Sequence, residues 1–242
     1  MTSTYSNDPQ LPDAYFSRAG FIEGAVAMIP IILSQSAFGV VFGTLGAQKG
    51  LTLAETVSMS GFVYAGLSQV VSLQSWPQDF TVPALVALAL ATAAVNLRFL
   101  LMSVTFRPWF GTLPAWQSYP TLLLTTDASW LRSMSYRSSG GGDVGFFLGG
   151  ALLLYVNWLI ATAIGYLFAS WITDPKVFGI DMLIPVFFAA LLVPAWKGPR
   201  RAIPWIVSGL VALAVHHVVQ GYWFMIAGAL SGAVSAGFIA DE

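Results

Sequence analysis

Glu23, Arg98, Asp127, Asp181, His216 and His217 are ionisable side chains within apolar stretches of this sequence. Arg98 sits within 82–106, a run long enough to cross a bilayer as a helix of about 20 residues. A central arginine costs about 2.5–3.5 kcal/mol on insertion scales, so it is expected to face a partner or a watery cavity. Asp127 is the natural partner, because an opposite charge within reach offsets much of the cost that each group would carry alone. Such a pair can act as a fixed ion pair holding helices together or as a charge that changes partners during transport. Asn96 lies two residues before Arg98, about 200° away around an ideal helix, so the two cannot face one neighbour. Either this helix is covered by protein on both sides or it breaks at Asn96.

The other ionisable groups read more plainly. Glu23 and Asp181 lie near the starts of their segments, where water and the helix dipole stabilise a carboxylate. His216 and His217 are adjacent and point to different faces, a poor chelating arrangement, so no metal site is expected. GxxxxGK[ST], HExxH and GxSxG are all absent, and no acid pair or nucleophile with a nearby base occurs at helical spacing. The sequence therefore predicts no enzyme activity, no cofactor and no ATP hydrolysis by this chain.

The elements that must hold these groups are membrane helices. The 242 residues are 57% hydrophobic and only 9% charged, with a mean hydropathy of +0.74, whereas soluble domains carry about 25% charged residues. A net charge of −1 gives no reason to expect nucleic acid as a partner. Cysteine is absent, which removes disulfides and thiol chemistry. Residues 1–18 read as a polar tail, disordered to about Pro12 and without the features of a signal peptide. Residues 19–242 read as a single transmembrane domain.

The expected fold is an all-α polytopic membrane protein of about seven or eight hydrophobic segments. The first, 21–48, contains Pro30 followed by Ser34, Gln35 and Ser36, and is expected to kink or break near the proline, with hydroxyls satisfying the freed backbone. Gly39, Gly43 and Gly46 then give a narrow face for close helix packing. The second, 53–73, carries Gly61, Ala65, Ser68 and Ser72 on one small-residue face, with Gly66 and Gln69 beside it. It is too polar to face lipid and is expected to be interior or re-entrant.

Trp109, Phe110 and Trp116, in a loop after 82–106, fit an interfacial aromatic belt. The segment 120–134 is short and polar with Asp127 near its middle, and reads as a half-helix or re-entrant element. SSGGGD (138–143) reads as a flexible linker. Four cleaner segments follow at 144–171, 179–196 (with Pro185), 202–219 and 222–239; the last carries a Gly228, Gly232, Ala236 stripe. No convincing internal repeat is visible.

Lysine and arginine in short loops set orientation. If all eight segments cross, Arg18, Arg132, Arg137, Lys197, Arg200 and Arg201 share one side with the amino end, against Lys49, Arg107 and Lys176. If 53–73 and 120–134 are both re-entrant, Arg107 joins the first group. Both counts put the amino end in the cytoplasm.

Taken together, PIILSQSAFGVVFGTLGAQKGL (30–51), SMSGFVYAGLSQ (58–69), NLRFLLMSV (96–104), LTTDASW (124–130), GxxxxSWI ending at Ile172 and GIDMLIPVFFAALLVP (179–194) resemble the AzlC (YgaZ-like) family. That family is the large subunit of bacterial branched-chain amino-acid exporters, and the resemblance runs from Ala19 to about Glu242. It implies a multi-pass permease of the bacterial inner membrane, driven by an ion gradient and working with a small four-helix AzlD-like subunit. The implied cargo is leucine, isoleucine, valine or a related amino acid. On that reading Arg98, Asp127, Asn96, Gln69, Ser68, Gln35, Ser34 and Ser36 line the pathway, while Pro30, Gly39, Gly43 and Gly66 break or pack helices. Two positions depart from the family pattern, Phe99 where histidine usually follows NLR and Ala128 where glutamate often follows the aspartate, and each removes a titratable group. The alternative is a membrane assembly or receptor subunit that transports nothing itself.

Overall fold

The computed structural model describes residues 14–74, 76–77, 79–169, 189, 196, 198–219 and 223–240. The elements among them are α1 (Arg18–Gln48), α2 (Leu53–Val63), α3 (Gly66–Gln74), α4 (Val82–Phe110), α5 (Ala115–Leu122), α6 (Asp127–Ser138), α7 (Val144–Leu167), α8 (Pro199–Val218) and α9 (Trp223–Ala240). Of these, α1, α4, α7 and α8 are long and apolar enough to cross a membrane. The chain has the all-α membrane fold that its composition requires. The tail up to Pro12 and the segment carrying Asp181 and Pro185 lie outside the described residues. The chain divides into two compact units, the first comprising Met1–Gln69 with Leu97–Trp171 and the second Val70–Asn96 with Ile172–Glu242.

In the first unit α1 and α7 run parallel, in backbone contact along their length. A Cβ added at Gly24 would fall 1.8 Å from the Phe146 carbonyl oxygen, and one at Gly43 would fall 2.0 Å from that of Thr162. From the other side, Gly149 meets the Phe21 oxygen at 1.9 Å and Gly165 meets the Val40 oxygen at 2.1 Å. Lipid supplies no hydrophobic drive between helices, so this intimacy supplies the dispersion contact that holds them. Pro30 does not interrupt α1. It lies on the exposed face, and the Ser34 hydroxyl closes onto the Ile31 carbonyl at 3.0 Å.

The two helices also start together. Ser17 caps α1 and Asp143 caps α7. Asp143 Oδ1 accepts from the Ser17 backbone N–H at 3.0 Å and from the Gly145 N–H at 2.8 Å, while its Oδ2 accepts from the Ser17 hydroxyl. Val144 N–H donates to the Tyr15 carbonyl at 2.7 Å, and residues 15 and 143 form a short parallel bridge. The expected flexible linker is therefore a packed junction: Asp143 is buried, Arg137 Nη1 donates to the Gly141 carbonyl at 3.0 Å and Trp109 Nε1 donates to the Gly142 carbonyl at 3.0 Å. Glycine permits this because Gly140 adopts φ +93° and a side chain on Gly141 would strike the Tyr136 ring.

The carboxyl end of α4 packs at the same place. The helix continues through Pro108 to Phe110, so Trp109 and Phe110 are not an exposed belt. They join Phe106, Val144, Phe147 and Ala151 in a buried cluster, with Phe106 and Phe110 ring centroids 5.1 and 5.5 Å from Phe147. Trp116 alone of the three belt residues is exposed. The chain then leaves this end at Gly111 and returns to it at Gly142. Between them α5 and α6 form a re-entrant hairpin, and Asp127 is the first residue of α6 rather than the middle of a helix.

Two spanning helices that run parallel require an odd number of crossings between them, and the α5–α6 hairpin contributes none. Both ways of counting segments in the sequence meet the first condition. Only the count with Arg107 beside Arg18 and Arg137 meets the second.

At the other end of α1, α2 opens with a capping box in which the Thr52 side chain and Glu55 satisfy each other's backbone N–H groups. The helix ends at Tyr64, whose φ of 40° is left-handed, and α3 starts at Gly66. Glu55 holds its proton less tightly than an ordinary glutamate, because the Thr52 backbone N–H and then its hydroxyl donate to it.

In the second unit α8 and α9 pack through the expected stripe. Gly228 and Gly232 lie against Ser208, with virtual Cβ contacts of 3.0 Å to the Ser208 backbone oxygen and its Cβ respectively. His216 and His217 are exposed at the end of α8, and His216 stacks edge-on with Phe224 at 5.0 Å.

Candidate functional site

Arg98 Nη1 lies 3.0 Å from Asp127 Oδ2. Asp127 reaches it because Thr126 caps α6 through a box with Ser129, which fixes the first residue of the helix at the tip of the hairpin. Both side chains are about a quarter accessible (24% each), so the pair is neither sealed nor on an open surface. Arg98 Nε is buried without a hydrogen-bond partner among the described residues. The Phe99 ring lies 5.0 Å from the guanidinium, so the residue that departs from the family pattern packs against the charge it follows.

A second polar cluster forms where α2 breaks. Nine residues of continuous helix rise about 13.5 Å, too far for Gln69 to touch Ser60. The left-handed Tyr64 bends the chain enough that Gln69 Nε2 comes within 3.4 Å of Ser60 Oγ. Ser60 Oγ in turn pairs with Thr162 Oγ1 of α7 at 2.8 Å. The break frees the Gly61 carbonyl, and the Tyr155 hydroxyl donates to it at 3.0 Å. Ser68 donates to the Ala65 carbonyl at 3.0 Å. A left-handed non-glycine residue costs about 1–3 kcal/mol and persists where its surroundings hold it. Here the Tyr155 ring, 4.9 Å away, packs against Tyr64.

Polar side chains of α1 and α7 meet nearby. Ser36 donates to Asn157 Oδ1 at 2.9 Å, and Asn157 Nδ2 donates to Gln35 Oε1 at 3.0 Å. The Tyr64 hydroxyl lies beside Gln35 without completing a hydrogen bond. Gly39 packs on Ala161 and Trp158, Gly43 on Thr162, and Gly66 on the edges of Trp158 and Phe38.

The structure thus divides the sequence-derived residues. Arg98 with Asp127 forms one group; Gln35, Ser36, Gln69 and Ser68 form another. Ser34 belongs to neither, being exposed and bonded to its own helix. Asn96 Oδ1 is buried without a partner among the described residues. Asn157, Thr162, Ser60, Tyr64 and Trp158 were not singled out from sequence. Asn157 had a readable signal, because it is the one amide in an otherwise apolar helix.

The two groups lie at similar depth. Arg98 is roughly 17 Å along α4 from Trp109, and Asn157 roughly 21 Å along α7 from Asp143, at 1.5 Å per residue. Trp109 and Asp143 mark the same end of the unit through the bond to Gly142.

The described residues thus hold two polar groups among apolar helices, one at the tip of the α5–α6 hairpin and one at the α2–α3 break. The family model described as AzlC protein matches residues 30–172, which span α1 from Pro30, both breaks, the ion pair and all of α7. This chain belongs to the AzlC family. A protein of Archaeoglobus fulgidus described as an uncharacterized membrane protein is 27% identical over 222 residues, covering 91% of this chain and 95% of the relative. No solved structure matches. The AzlC match contains every residue of both polar groups, from Gln35 to Thr162, so the family region and the candidate site coincide. A multi-pass membrane location and a transport-related role follow at the level of the AzlC family.

Proposed function

We propose that this chain is a secondary permease that exports leucine, isoleucine, valine or related small apolar amino acids across a bacterial inner membrane. It is driven by an ion gradient and acts with a small four-helix AzlD-like subunit, without covalent chemistry. The observation that carries the reading is the Arg98–Asp127 pair at 3.0 Å on the tip of a re-entrant hairpin. A charge pair that is only part-buried can exchange its partners for a proton or a substrate charge at far lower cost than a sealed one. Arg18, Arg107 and Arg137 lie at the end of the first unit where α1 and α7 begin, and this positive charge supports a cytoplasmic location for that end.

The test is export from cells preloaded with labelled leucine, isoleucine and valine, expressing the chain with and without the small subunit under a maintained proton gradient. Export that needs this chain supports the reading. Absence of export in both cases removes it and leaves the assembly-subunit reading, which direct amino-acid binding to the purified protein then separates.

A further inference from the structure

Three polar side chains around the α2–α3 break are buried with a polar atom unmatched. Among the described residues, Gln69 Oε1 (residue 0% exposed), Trp158 Nε1 (3%) and the Tyr64 hydroxyl (7%) complete no hydrogen bond. Each such atom forgoes its hydration if nothing binds it, and native interiors leave few of them without a reason. All three border the start of α3. Tyr64 precedes it by two residues, Gln69 lies in its first turns, and a Cβ on Gly66 would sit 2.9 and 3.2 Å from Trp158 Cη2 and Cζ2, on the indole edge that leads to Nε1. A Cβ on Gly66 would also fall 3.0 Å from Phe38 Cε1, so glycine lets the Trp158 and Phe38 rings close over the start of α3.

We propose that the α2–α3 break, walled by α1 and α7, is the binding site for the backbone of an amino-acid substrate and recognises it with neutral groups. The carboxylate accepts from Trp158 Nε1–H and from the Tyr64 hydroxyl. The ammonium donates to Gln69 Oε1, and the rings of Tyr64, Tyr155 and Phe38 supply aromatic surface beside it. Arg98 and Asp127 stay paired while the substrate is held, and exchange partners only in the transport step. The inference rests on the export reading above and adds to it the location and chemistry of the substrate site.

The experiment measures binding to the chain in lipid nanodiscs, alone and with the small subunit, using L-leucine and isoamylamine, which keeps the ammonium and the branched tail but lacks the carboxylate. Tyr64→Phe and Trp158→Phe should each weaken leucine about tenfold, the effect of losing one hydrogen bond to a charged group. Both should leave isoamylamine unchanged, and Gln69→Leu should weaken both ligands. The chain has no cysteine, so in an otherwise unaltered background the thiol of Ala65→Cys is the single target for alkylation. Leucine at ten times its dissociation constant should slow that alkylation about tenfold. If wild type binds leucine but the variants bind it equally well, or leucine gives no protection, the site assignment is overturned and the export reading stands. If wild type binds none of leucine, isoleucine and valine in either form, the export reading falls and takes the site with it.

Discussion

Asp143 closes the amino-terminal ends of two helices whose caps are 126 residues apart. Its carboxylate caps α7 through Gly145 and at the same time takes the backbone N–H and hydroxyl of Ser17, the cap of α1. One side chain therefore sets the common start of a parallel pair. Asp143→Ala should cost about 2–3 kcal/mol, since it strands donors at two helix starts. Ser17→Ala should cost about 1 kcal/mol, a single cap. Thermal unfolding of the purified protein, followed by tryptophan fluorescence, measures both; equal and negligible shifts would show that the junction is held elsewhere.

The α1–α7 contact makes a sharper forecast about volume. At Gly43 and Gly149 a Cβ would lie 2.0 and 1.9 Å from backbone oxygens of the other helix, which cannot rotate away as a side chain can. Gly43→Val and Gly149→Val should each destabilise by about 3 kcal/mol or more. Gly209 of α8 has nothing within 4 Å, so Gly209→Ala should change stability by less than about 0.5 kcal/mol. Recovery of monodisperse protein after heating ranks the three.

For the ion pair, singles and double must differ. Arg98→Ala or Asp127→Asn alone leaves one charge unmatched and should cost about 1–3 kcal/mol, less than a sealed pair because each side chain is only part-buried. The double variant should recover part of that loss. In transport assays Asp127→Asn should flatten the pH dependence of export while leucine binding stays within about threefold of wild type. Export that keeps its full rate and pH profile in Asp127→Asn would remove this carboxylate from proton coupling.

Acid should loosen the start of α2. Thr52 holds the Glu55 carboxyl below its ordinary value of 4.5, so the folded protein binds this proton more weakly than the unfolded chain does. The stabilisation is present above the ordinary value and is lost as the pH falls through the lower folded one. Hydrogen exchange of the first turn of α2 should therefore rise on acidification in wild type, and Glu55→Gln should lack that increment. An increment that survives in Glu55→Gln would assign it to another group.

Composition by itself determined that this chain lives in a membrane, that Arg98 needs a partner, and that 53–73 and 120–134 are too polar to face lipid. Those conclusions need only the transfer cost of each side chain, which is a property of residue type and local run length. Local rules went wrong where tertiary contact outweighed them. SSGGGD looks like a flexible linker, yet Trp109, Arg137 and Ser17 anchor it; Pro30 looks like a break, yet α1 runs through it in contact with α7. Only the tertiary structure decided that Asn157 meets Gln35 and Ser36, that Thr162 meets Ser60, and that Asp127 opens a helix instead of interrupting one. A sequence states that a buried amide or hydroxyl must be satisfied. Which atom satisfies it, more than a hundred residues away, depends on the parallel alignment of α1 and α7, and that alignment comes from backbone approach at a few glycines rather than from any local propensity.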